Sequence, residues 1–289
     1  MKIPESKIIT ILLTDDKNLT VGRPTGQKEV YVYLPKGYDP ERQKPYKTIY
    51  MFDGQNAFEK KSEGYALGAP NSWAIDLELE EFYGEEHDYI VVGINNGEGS
   101  EIRDSQLTMS KDFGRLTPLG APEYGAFKDG SLELFTRFIT ETLLPYIAEN
   151  FNTSQKAEDR FLLGASSGGL AALYVGLKCG DFFGGIGALS PATGLFYRDS
   201  WDSFVSALPN ELLKNKIYLY CGRSTEDFLE QMLYCAPDES ILSAYLVKEL
   251  LVKHGYAKSL ILESFLDGGI HNEVYWRKTL KEYFKFVLN

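Results

Sequence analysis

The run Phe161-Leu162-Leu163-Gly164-Ala165-Ser166-Ser167-Gly168-Gly169-Leu170 constrains the fold of this chain more than any other stretch. A short apolar segment ends in a turn of small residues and passes directly into a helical pattern, which reads as strand, elbow and helix. Gly164, Ser166 and Gly168 form a G-x-S-x-G frame. In that frame the central serine occupies a tight turn that only small neighbours permit, with its hydroxyl held above the edge of a sheet. Ser166 is therefore the candidate nucleophile. A serine hydroxyl attacks only when a base takes its proton, so the reading requires a histidine and an acid to orient it. Glycine-rich serine turns also serve as plain connections, and the frame needs those partners before it carries chemistry.

The rest of the chain supplies a setting for such a unit. Its 289 residues carry no linker or repeat that would divide them, so one α/β domain is expected over 1–289. Ile8–Thr14 and Glu29–Leu34 are β-rich runs separated by the turn signals Asp15–Asn18 and Arg23–Gly26, and they predict an opening antiparallel pair. Tyr46–Phe52 predicts a further strand that stops at Asp53-Gly54-Gln55-Asn56. Helical spacing runs from a candidate Ser72 N-cap to Phe82, followed by the near-continuous apolar run His87–Ile94, which fits a parallel strand buried on both faces. Residues 95–129 are rich in Gly, Ser and Pro, and a loop of that length in a compact domain predicts a substrate-facing insertion. An amphipathic helix is expected over Phe135–Phe151, and strands over Phe183–Pro191, Lys216–Gly222 and Ser259–Phe265.

Three histidines compete for the role of base. His87 stands at the entering end of its strand, away from the carboxyl ends where open α/β sheets bind ligands, and is read as a surface residue. His254 falls in the last turn of a helix over Ser240–His254, where an imidazolium meets the helix dipole favourably. His271 follows the glycine-rich turn Asp267-Gly268-Gly269-Ile270 after the last strand, where a loop can carry it over Ser166. Arg223-Ser224-Thr225-Glu226-Asp227 offers carboxylates at another strand's carboxyl end, so the candidate acid is Glu226 or Asp227. The order Ser166, acid, His271 is that of an α/β-hydrolase triad. In that arrangement two backbone N–H groups, from the residue after the nucleophile and from the loop after the third strand, form the oxyanion hole. They are Ser167 and Gln55 here.

Asp53-Gly54-Gln55-Asn56, Ser72-Trp73, Val92-Gly93-Ile94, the elbow with Gly168-Gly169, Leu189-Ser190-Pro191 and Gly269–Trp276 together resemble the putative-esterase family of α/β-hydrolases. That family includes siderophore esterases, feruloyl and acetyl-xylan esterases, S-formylglutathione hydrolase and mycolyltransferases. The resemblance implies a mostly parallel central sheet with helices on both faces, and a serine carboxylic-ester hydrolase that works through an acyl-enzyme. Acyl transfer to another acceptor, or a non-catalytic binding role, are the alternatives. It matches Ser166 to the nucleophile, His271 to the base, and Gln55 and Ser167 to the oxyanion amides. Family members keep the acidic loop compact, which favours Glu226 over Asp227.

No cofactor and no metal are expected: the chain has no HExxH motif, and Cys179, Cys221 and Cys235 show no CxxC spacing, so they read as ordinary thiols. A net charge of −11 disfavours nucleic acid and anionic membranes as partners. The expected partner is a small-molecule ester, with a homo-oligomer compatible. The start Met1–Ser6 lacks a basic segment followed by an apolar one, and no run of eighteen apolar residues occurs. A cytoplasmic location is the expectation.

Overall fold

Along each central strand, successive side chains point to opposite faces, and both faces are apolar. Val30, Val32 and Leu34 enter one buried cluster, while Tyr31 and Tyr33 between them enter another. A sheet patterned this way must be covered on both sides. In a computed structural model, which describes residues 2–17, 19–20, 26–59, 72–96, 99–114, 130–234 and 240–289, the sheet is covered by helices on both faces.

The strands are β1 (Lys7–Thr14), β2 (Gln27–Leu34), β3 (Lys47–Phe52), β4 (Tyr89–Ile94), β5 (Arg160–Ala165), β6 (Gly185–Leu189), β7 (Lys216–Arg223) and β8 (Ile261–Asp267). They form one eight-stranded sheet in the order β1-β2-β4-β3-β5-β6-β7-β8. The expected opening pair is antiparallel, β2 also runs antiparallel to β4, and every later pairing is parallel. Parallel pairing sends the carboxyl ends of β3 to β8 to one edge, which is where open α/β sheets bind ligands.

The helices are α1 (Ile75–Tyr83), α2 (Ser100–Leu107), α3 (Leu132–Phe138), α4 (Leu144–Asn150), α5 (Ser167–Lys178), α6 (Arg198–Ser206), α7 (Phe228–Tyr234), α8 (Ala244–Lys253), α9 (Glu273–Arg277) and α10 (Leu280–Tyr283). α3, α5 and α8 pack into the first cluster, whereas α1 and α10 pack into the second. A π-turn over Ile139–Leu143 joins α3 to α4. Pro145 at the start of α4 has no N–H to return to Glu141, and the ladder widens there.

Three expectations change. His87 is buried, not at the surface: its ring stacks on Tyr33 at 5.8 Å and Nδ1 accepts the Tyr89 N–H at 3.2 Å. Burial lowers its pKa to about 4. α1 starts after Ala74, which adopts φ 43, and Ser72 Oγ accepts from the Ala74 N–H ahead of the helix instead of capping it. Within 95–129 the chain forms α2 and a short 3-10 turn at Lys111–Phe113, while 115–129 lie outside the described residues, as do Cys235 and most of the turn expected at Arg23–Gly26. His254 closes α8 as its C-cap, paired to Asp202 at 2.6 Å. No helix among the described residues is long and apolar enough to cross a membrane.

Candidate active site

Four described residues other than glycine have positive φ: Asp53, Ala74, Ser166 and Ser190. Asp53, Ser166 and Ser190 directly follow β3, β5 and β6, at the carboxyl edge of the sheet. Strain of this kind costs about 1–3 kcal/mol per residue and persists only where the surroundings enforce it. Its concentration at one edge marks the site.

Ser166 sits between β5 and α5 at φ 57 and ψ −127. Its N–H donates to the Leu189 carbonyl at 3.0 Å, and its carbonyl accepts from Leu170 and Ala192. The turn closes only without side chains on its flanks, since a Cβ on Gly164 would stand 2.3 Å from the Gly168 carbonyl oxygen. Small residues in the G-x-S-x-G frame are thus a steric requirement of the elbow.

His271 follows β8 and has a side chain 11% exposed. Its Nδ1 lies 3.1 Å from Oε1 of Glu230, a carboxylate with no solvent exposure. Neither carboxylate expected from the sequence takes this position. Glu226 is exposed. Asp227 caps α7, with Oδ1 accepting the Leu229 and Glu230 N–H groups, and its Oδ2 accepts the backbone N–H of His271 at 2.8 Å. Asp227 therefore holds the His271 loop by its main chain, while Glu230, in the first turn of the helix, reaches back to the ring.

Glu230 is saturated with donors. Oε1 also accepts from Ser190 Oγ at 2.7 Å, and Oε2 accepts from the Gly222 N–H at 3.0 Å and Cys221 Sγ at 3.1 Å. Ser190 Oγ accepts in turn from the Trp276 indole at 3.1 Å, and the Trp276 ring meets the His271 ring edge to face at 5.0 Å. His271, Glu230, Ser190 and Trp276 form a closed ring of contacts, joined to the elbow because the Ser166 N–H is bonded to the residue preceding Ser190. Buried charge is tolerated only when paired and hydrogen-bonded in this way. Glu230 was not singled out from the sequence, and Ser190, Trp276 and Cys221 were named there without a role at the site. The signal for Glu230 was the D-x-x-E pattern Asp227–Glu230, which starts a helix and places the glutamate at its third position.

The turn after β3 is Gly54–Asn56, a single 3-10 turn. A Cβ on Gly54 would stand 2.2 Å from the Gly93 carbonyl carbon, so glycine lets this turn press against β4. Gln55 and Ser167 each lie in the first turn of a helical segment, where the helix ladder provides no acceptor for N–H groups. Asn56 Nδ2 donates to Glu273 Oε1 at 3.0 Å, and burial raises the pKa of that carboxyl. Among the described residues no group of His, Cys, Asp and Glu could hold a metal ion.

Known proteins match this architecture. The chain is 25% identical over 261 residues to the uncharacterized protein YbbA of Bacillus subtilis strain 168, covering 88% of this chain and 89% of that one. It is 28% identical over 158 residues to an acetyl esterase of Caldicellulosiruptor saccharolyticus, covering 44% of this chain and 59% of that one. A ferulic acid esterase from Anaeromyces mucronatus superposes with a TM-score of 0.62 at 18% identity, over 99% of this chain and 91% of that one, and shares its fold. The family described as Putative esterase matches residues 23–287, so the chain belongs to it and is an α/β-hydrolase of the carboxylic-ester hydrolase class.

Proposed function

We propose that the protein hydrolyses carboxylic esters through an acyl-enzyme on Ser166, with His271 as base and Glu230 as the acid that orients it. The observation that carries this reading is the bond between His271 Nδ1 and the fully buried Glu230. A carboxylate at Nδ1 keeps the proton on that nitrogen, so Nε2 is left as the acceptor for a serine proton. His271 takes the Ser166 proton as Oγ attacks the ester carbonyl, and Glu230 stabilises the imidazolium. The N–H groups of Gln55 and Ser167 receive the negative oxygen of the tetrahedral intermediate. His271 then protonates the leaving alcohol, and a water repeats the sequence to release the acid and restore the serine.

Acetyl and feruloyl esters are the first substrates to try, given the acetyl esterase relative and the ferulic acid esterase neighbour. The test is Ser166→Ala with p-nitrophenyl acetate. Loss of the nucleophile should lower kcat by several orders of magnitude, as in other serine triads, with thermal unfolding unchanged. Near-wild-type turnover removes Ser166 from the mechanism.

A further inference from the structure

The turn that carries Gln55 is fixed from three directions by groups that cannot touch the reacting carbon. Asp53, at φ 55 and 8% exposed, has its carboxylate in the fork of Arg103, with Nε at 2.7 Å from Oδ1 and Nη2 at 2.8 Å from Oδ2. The Gln55 side chain is engaged at both ends: Nε2 donates to Asp53 Oδ1 at 3.3 Å, and Oε1 accepts the Asn96 N–H at 3.0 Å. Asn96 Oδ1 accepts the Asp53 N–H at 3.1 Å, and its Nδ2 donates to Gln106 Oε1, which also accepts from the buried Lys28. On the far side Glu273, two residues after His271, accepts from Asn56. Arg103 and Gln106 both belong to α2, so the helix that follows β4 reaches the turn directly through Arg103 and by way of Asn96 through Gln106.

From this geometry we infer that Arg103 is a positioning residue for the oxyanion hole: its fork on Asp53 sets the backbone angles that aim the Gln55 N–H. The inference rests on the reading of Gln55 as an oxyanion donor. The physical basis is that Asp53 holds a left-handed conformation that few residues other than glycine adopt, and its buried carboxylate must be paired. A planar bidentate fork fixes direction as well as charge, which an ammonium does not. An oxyanion donor displaced by a fraction of an ångström loses most of its advantage in the transition state while leaving substrate binding intact.

The experiment compares Arg103→Met, Arg103→Lys and Asp53→Asn/Arg103→Met with wild type, measuring kcat and KM on p-nitrophenyl acetate and inhibition by phenylboronic acid, a mimic of the tetrahedral intermediate. Arg103→Met should lower kcat by about tenfold to a hundredfold, less than the roughly hundredfold to thousandfold cost of deleting a donor outright, with KM within threefold. Phenylboronic acid should weaken by the same factor as kcat falls, and Arg103→Lys should recover only part of the loss. The double variant leaves no bare carboxylate and carries the same comparison if Arg103→Met alone fails to fold; it should lose no more than the single variant. A kcat within twofold of wild type, or a loss confined to KM with phenylboronic acid inhibition unchanged, overturns the inference. Wild-type Ser166 labelled by a fluorophosphonate alongside such a result overturns this inference alone; wild-type protein that takes no label overturns the triad reading together with it.

Discussion

Glu230→Gln separates the acid we propose from those the sequence favoured. The glutamate accepts at Oε1 from His271 and Ser190, and at Oε2 from the Gly222 N–H and Cys221. Glutamine keeps one acceptor oxygen and replaces the other with an NH2 group. The Gly222 N–H is part of the backbone and cannot turn away, whereas the Ser190 hydroxyl can rotate. The amide oxygen therefore faces Gly222 and the NH2 faces His271, which must accept at Nδ1 and carry its proton on Nε2. That tautomer cannot take a proton from Ser166. In the serine-protease triad the equivalent amide substitution, with geometry intact, costs about 10⁴ in kcat by this tautomer effect, and a loss of about 10³–10⁴, or roughly 4–5.5 kcal/mol, is expected here. Stopped-flow hydrolysis of p-nitrophenyl acetate measures it, with thermal unfolding to confirm folding. Glu226→Gln should remain within twofold of wild type, since that side chain is exposed. Asp227→Asn should lose less than tenfold, because it disturbs the cap of α7 and the His271 main chain but not the ring. Glu230→Gln with more than a tenth of wild-type activity, or Glu226→Gln as the crippled variant, refutes the reasoning.

Further outcomes follow from packing and charge. Asp76 on α1 has its pKa raised from 3.8 to about 6 by burial. The folded chain thus holds a proton that the unfolded chain releases between about pH 4 and 6, so stability falls as pH rises through that window and stays lower above it. Asp76→Asn should stabilise the fold at pH 8 by roughly 3 kcal/mol, read as a rise in Tm, and the gain should vanish near pH 4; a pH-independent effect contradicts the account. Gly54→Ala drives a Cβ into the Gly93 main chain, so it should cost about 1–3 kcal/mol of stability and lower kcat together, measured by denaturant unfolding and ester turnover. EDTA should leave turnover unchanged, and inhibition that added zinc reverses would indicate a metal route.

The elbow was legible because its geometry restricts composition: Gly164 lies against the Gly168 main chain, and a side chain at 164 would collide with it. The strands read well because a sheet covered on both faces demands apolar residues at successive positions, as in β4, where every residue from Tyr89 to Ile94 is buried. His271 could be chosen among the histidines because a glycine-rich turn after the last strand puts it at the carboxyl edge. The carboxylate that meets the His271 ring was not legible in the same way. Carboxylates immediately after β7 drew the assignment to Glu226 and Asp227, while Glu230 lies inside Phe228-Leu229-Glu230-Gln231, where a glutamate has the composition of an ordinary helix surface. Only the fold shows that Asp227 is consumed by capping and that the next turn faces the ring. His87 was misread for a related reason: position along a strand says nothing of the aromatic packing that Tyr33 brings from β2. The polar bonds of Asp53 to Asn96 and Arg103 join segments far apart in sequence, and no local pattern announces them.

The most direct measurement of the central claim is covalent labelling by a fluorophosphonate, read by intact mass and then by peptide mapping. One equivalent should attach to wild-type protein, at Ser166 and nowhere else, with turnover lost in proportion. Ser166→Ala should take no label, and Glu230→Gln should label much more slowly than wild type. Stoichiometric labelling at another residue, or full esterase activity in protein labelled at Ser166, would contradict a serine acyl-enzyme at this elbow.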